Sequence, residues 1–144
     1  MTISAEEAAH APLVSDEQIE MRVSDLVGKA IKRQWWMLFL DENDVQLPHI
    51  VPVDGAPLVP DDAATQHSAE GMGAIMDELG AAQVILVWER PTGPTVAMPD
   101  RVWARSLAEA ARRRGIRVRA QLISHSNGVR WLAPDDYLEH NLPS

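Results

Sequence analysis

Two short apolar runs organise the hydrophobic pattern. Gln34-Trp35-Trp36-Met37-Leu38-Phe39-Leu40 is almost wholly apolar and too short for a buried helix, so it predicts a strand covered on both faces. Gln83-Val84-Ile85-Leu86-Val87-Trp88 is the stronger strand, rich in β-branched residues and bounded by breakers. Residues 45–53 alternate well enough to pair with the first run across the turn Asp41-Glu42-Asn43-Asp44, with Pro48 making that strand an edge or a bulged one. Residues 116–123 alternate at period two, predicting a half-exposed strand, and Ser126-Asn127-Gly128 turns into a short partner over residues 129–132.

Helical spacing fills the intervals. Ile19, Val23, Leu26, Val27 and Ala30 predict a helix from Ser15 to about Ile31, with Ser15 and Gln18 at capping-box spacing. Asp16, Glu17 and Glu20 near its start and Lys29 and Lys32 near its end suit the macrodipole. Met72, Ile75, Met76 and Leu79 predict a helix from about Thr65 that stops at Gly80, despite Gly71 and Gly73, after a Pro/Gly/Asp-rich loop over residues 54–62. Pro99 or Asp100 opens a helix through Val102, Trp103, Leu107, Ala110 and Ala111 to Gly115, and Pro134 a short last helix over residues 135–140. Strands and helices interleave, so the expected fold is a single α/β domain over residues 15–144. Its helices pack on a mixed sheet in two or three layers, behind a flexible tail of residues 1–14.

Composition narrows the chemistry. The absence of cysteine excludes disulfides, thiolate nucleophiles and cysteine-held metals. No apolar run is long enough to span a membrane, and the first residues lack the basic start and apolar core of an export leader, so a cytoplasmic protein is expected. A formal charge of −8 argues against non-specific nucleic-acid binding. Seven of the thirteen basic residues nevertheless fall between Arg101 and Arg119, either a solvated helix face or a docking patch. Five tryptophans beside one Phe and one Tyr are unusual, and Trp35 and Trp36 must point to opposite faces of their strand. The bland reading of Trp35, Trp36, Trp88, Trp103 and Trp131 is core packing. The sharper one is an interface built from Trp35, Trp36 and Trp103 with Arg101 and Arg105.

The run LFLDENDVQLPHIVPV, a helix, AAQVILVWERPTGP, and a helix ending RRGIRVRAQLIS together resemble the RadC-like branch of the JAB/MPN (JAMM) superfamily over residues 33–133. The resemblance implies a cytidine deaminase-like architecture and a zinc site. Two histidines of a His-x-His-Pro-x-Gly turn and a later aspartate hold the metal, and a glutamate from the preceding hairpin serves as base. The histidine positions fall here on Trp88 and Arg90. Pro91 and Gly93 keep the turn, Thr92 keeps the small hydroxyl, and Asp100 stands for the aspartate with the loop about one residue short. No glutamate matches within residues 45–53, where His49 is nearest. Tryptophan offers only an N–H donor and arginine is a permanent cation that repels a divalent ion.

No catalytic residue, metal or cofactor is therefore expected. His49, His67 and His125 lack ligand spacing, although His49 and His125 could meet at the sheet end. Ser124-His125-Ser126 has no nucleophile elbow, and phosphate-loop and dinucleotide fingerprints are missing. The expectation is a non-catalytic module that binds a protein partner or a second copy through the loop after Trp88, using Trp88, Glu89, Arg90, Thr92 and Asp100. One alternative makes Glu89, Arg90 and Asp100 a polar pocket for a small molecule. The other is a DNA-associated accessory protein resting on the arginine cluster.

Overall fold

β3 (Gln83–Glu89) is the axis of the domain, because every one of its residues is buried. In the computed structural model, which describes residues 12–133, it sits third in a five-stranded sheet of order β2-β1-β3-β4-β5. The other strands are β1 (Gln34–Leu40), β2 (Gln46–Val53), β4 (Val118–His125) and β5 (Gly128–Trp131). β3 and β4 run parallel, joined by the crossover helix α3 (Met98–Arg113), and every other pair is antiparallel. The helices α1 (Asp16–Leu26) and α2 (Asp62–Leu79) complete the domain. The α/β class and the mixed sheet agree with the sequence pattern.

Strand periodicity divides the core in two. Trp35, Met37 and Phe39 of β1, Val84, Leu86 and Trp88 of β3, and Ile123 of β4 face α2 and α3, which supply Ala69, Met72, Met76, Trp103, Ala104 and Leu107. Leu38, Leu40, Ile85, Val87, Ala120 and Leu122 face the other way, under Ile19 and Val23 of α1. The architecture is thus three-layered, with each fully buried aliphatic contributing about 1.5–3 kcal/mol. Both faces being covered, neither Trp35 nor Trp36 is left at a bare sheet surface.

Several expected boundaries move, each for a local reason. The capping box of Ser15 and Gln18 is present. The helix ends at Leu26 instead of near Ile31, because Gly28 turns left-handed at φ 67° and Val23 O accepts from both Val27 and Gly28. Lys29 and Lys32 therefore lie outside it. α2 starts at Asp62, before the expected Thr65, since Asp61 caps it by accepting from Ala64 N–H at 2.7 Å. Gly80 stops it in the left-handed region.

β4 spans Val118–His125 instead of residues 116–123, and it carries a bulge. Val84 pairs with Val118 but Ile85 with Ala120, so Arg119 is extra and the alternation inverts across it. Val118 packs toward α2 and α3, while Ala120 packs toward α1. Arg119 reaches Val14 O and Asp16 at the start of α1.

Of the segment read as a tail, Pro12 bridges to Val45, Leu13 N–H donates to Asp44 O, and Leu13 is buried under α1. The expected last helix at residues 135–140 lies outside the described residues. β2 is an edge strand whose register against β1 shifts around Pro48.

Candidate functional site at the carboxyl end of the central strand

Ligands of open α/β sheets commonly sit beyond the carboxyl ends of parallel strands, here β3 and β4. Trp88 is seated by its neighbours. It stacks on Trp35, its cross-strand partner, with ring centroids 5.3 Å apart, and tilts against Trp103 at 6.0 Å. Its indole N–H donates to Gln121 Oε1 at 2.7 Å, and Gln121 in turn donates to Ala104 O. Trp103 donates to Pro57 O. Trp35, Trp88 and Trp103 are core residues, which removes Trp35 and Trp103 from any surface interface.

Arg90 follows on the same side and is wrapped by the loop it begins. Its Nε lies 2.9 Å from Asp100 Oδ2, with both side chains mostly buried, although the N–H is not aimed squarely at the oxygen. Nη1 donates to Thr92 Oγ1, and Nη2 donates to Thr95 O. Burial pushes the Asp100 carboxyl above its usual range and outweighs the opposing pull of Arg90, the Ala97 N–H and Arg33. The loop is tied from β4 and β5 as well. Ser126 donates to Thr92 O through both N–H and hydroxyl, and Arg130 donates to Pro94 O.

Glu89 points the opposite way. Its carboxylate accepts from the N–H groups of Ile31 and Lys32, from Gln34 Nε2 and from Trp36 Nε1, at 2.8 to 3.2 Å. Burial pushes this carboxyl up, but those hydrogen bonds together outweigh it and hold the group below its ordinary value. Glu89 is a latch on the segment between α1 and β1. Glu89 and Asp100 both border the small cleft between β1, β3 and α3, but Arg90 is not among its lining residues, so the three do not form the polar pocket of the small-molecule expectation. Ser124 Oγ–H donating to Gly28 O, and Ala30 N–H donating to His125 O, fasten the same segment.

That cleft, bordered also by Arg33, Trp35, Val53 and Trp88, has room for a water molecule and little more. Trp35 Nε1, buried, has no hydrogen-bond partner among the described residues. His49 and His125 do not meet: β1 and β3 separate their strands, a span of about 14 Å at ordinary strand spacing. His125 Nδ1 accepts from Asn127 N–H, and burial, then Arg90 and Arg130, lowers its pKa. Among the described residues no three His, Cys, Asp or Glu side chains cluster to hold a metal ion.

Of the expected interface, Trp36 is half-buried against Glu89, while Arg101 is exposed and Arg105 partly so. Gln121, Gln34 and Thr95 hold the site together without having been singled out in the sequence. Gln121 had a signal, since a polar side chain amid the apolar half of a central strand needs a buried partner. No protein-family model matches the chain, and neither does any curated protein.

Proposed function

We propose that this chain is a binding module without hydrolytic chemistry, built on a RadC-like JAB/MPN scaffold with its cytidine deaminase-like architecture. It meets a protein partner or a second copy, in the cytoplasm, through the loop after β3. The observation that carries this reading is the Arg90–Asp100 ion pair. It joins two of the three positions at which the resemblance expects metal ligands, and Trp88, at the third, is consumed by its stacking and by Gln121. These residues do not fit a zinc ion. A guanidinium already neutralises the one carboxylate, and an indole N–H aimed at an amide oxygen has no lone pair to give. The parallel β3–β4 pair and the turn kept by Pro91 and Gly93 agree with the scaffold.

The ion pair does for the loop what a metal would do for a hydrolase loop. It fixes the loop's two ends, the close of β3 and the first turn of α3, in one geometry. What remains exposed is a shaped surface with no reacting group.

Metal analysis of the purified chain, with a peptidase and isopeptidase assay in added zinc, tests this. The expected results are no retained zinc and no zinc-dependent cleavage. Stoichiometric zinc that survives gel filtration would overturn the proposal.

A further inference from the structure

The loop that the Arg90–Asp100 pair holds in place is uncharged and exposed. No charged residue occurs across residues 91–99, in a chain that is 24% charged. Pro91, Thr92, Gly93, Pro94 and Thr95 are all exposed, and only Val96 turns inward. A free loop of this kind would lose much conformational entropy on binding. Here the backbone is already tied by Arg90, Ser126 and Arg130, and prolines fix φ at three of its positions.

The surface continues onto α3. Met98, 74% exposed, Arg101 and Arg105 recur at helical spacing i, i+3 and i+7 and so share one face. Neither guanidinium has an ion pair or hydrogen bond among the described residues. Arg113 and Arg119 are partnered by Glu109 and Asp16, while the exposed guanidinium groups of Arg112 and Arg117, farther along, also have no such partner among the described residues. In a chain of net charge −8, two guanidinium groups without an ion pair among the described residues place positive charge beside an uncharged, pre-ordered loop, against the overall sign of the chain.

We infer that the loop at residues 91–95, with Met98, Arg101 and Arg105, docks on a protein partner that offers an apolar cleft edged by carboxylates. The inference rests on the binding-module reading and names its partner class. Pro91, Pro94 and Met98 enter the cleft, while Arg101 and Arg105 meet the acidic rim as bidentate donors. Nucleic acid suits this surface less well. Two arginines supply few phosphate contacts, and the loop between them and the sheet has no donor-rich side chains to track a backbone.

The full chain, labelled for NMR, is titrated with a short amphipathic peptide of Leu, Phe, Asp and Glu. A matched peptide with lysine in place of the acids and a DNA duplex serve as the other probes. The acidic peptide is expected to shift the amides of Gly93, Thr95 and Met98 and the Nε–H signals of Arg101 and Arg105. Met98→Ala, and Arg101→Glu with Arg105→Glu, should each weaken binding about tenfold or more. These positions are exposed or partly so, and unchanged circular dichroism would show the variants folded. No shifts, shifts confined to another face, or equal binding of the lysine peptide would overturn the inference. Duplex binding at physiological salt would overturn it in favour of nucleic acid. Failure here leaves the zinc result untouched, so the two readings fail separately.

Discussion

Arg90 and Asp100 close a loop between two elements of different kinds. The guanidinium at the end of β3 meets, at 2.9 Å, a carboxylate in the first turn of α3. Asp100 gains there from the helix N-terminus as well as from the cation. Arg90 also supplies donors to Thr92 and Thr95, so one side chain grips the loop at three points, with Ser126 and Arg130 holding it from the other side.

Removing Arg90 leaves a mostly buried carboxylate without its counter-charge. Arg90→Ala should lower stability by about 3 kcal/mol, read as a lower urea midpoint. Arg90→Met with Asp100→Leu, which removes both charges at similar volume, should recover most of that loss. A single variant within experimental error of the parent would show that the pair does not hold the loop.

Trp88 separates packing from hydrogen bonding. Trp88→Ala should cost about 3–5 kcal/mol through the cavity opened between Trp35 and Trp103. Trp88→Phe keeps most of the ring but strands Gln121 Oε1, for a cost of about 1–3 kcal/mol. Adding Gln121→Leu to Trp88→Phe should restore part of it. Thermal unfolding of the three variants decides whether the amide is a partner or a bystander.

Glu89 makes stability depend on acid. Its folded carboxyl titrates below its unfolded value of about 4.3, so its contribution is complete above that value and is lost as pH falls toward the folded one. Asp100 works in the opposite sense. Its raised folded pKa gives a contribution present at low pH and lost as pH rises through that folded value. Glu89→Gln should therefore flatten the acid limb of a stability profile, and Asp100→Asn should steepen it. Glu89→Gln should also make the Ile31 and Lys32 amides exchange faster at neutral pH, because their acceptor is weakened. An unchanged acid limb in Glu89→Gln would remove the latch from this account.

At the other end of the molecule, Ser15→Ala should cost about 1 kcal/mol by deleting the acceptor for Gln18 N–H. Loss of helical signal should be confined to α1, measured by hydrogen exchange along Asp16–Leu26.

β1 and β3 are legible in the sequence because both their faces are buried, which writes a continuous apolar run of strand length. The start of α2 is not, because Pro60-Asp61-Asp62 reads as loop until Asp61 is seen accepting from Ala64. The bulge at Arg119 is hidden for a different reason. Alternation over residues 116–123 looks regular, and only pairing with β3 reveals that the faces exchange halfway. The position of the candidate loop was readable from the end of the best strand and the prolines beyond it. The split between Glu89 and Arg90 was readable in principle too, since adjacent strand residues face opposite ways. Their partners were not, because Gln34, Trp36 and Asp100 reach them through tertiary folding.

The two prolines of β2 bear on how copies of the chain can coexist in a crowded solution. A strand seeking to template on that edge needs a run of outward N–H donors, and Pro48 and Pro52 withhold theirs. The hairpin partner of the most apolar neighbourhood in the sheet is thus also its terminator. Assembly at that edge has to use side-chain surfaces instead of continuing the sheet, which guards it against the fibrillar accretion that an unguarded apolar edge invites.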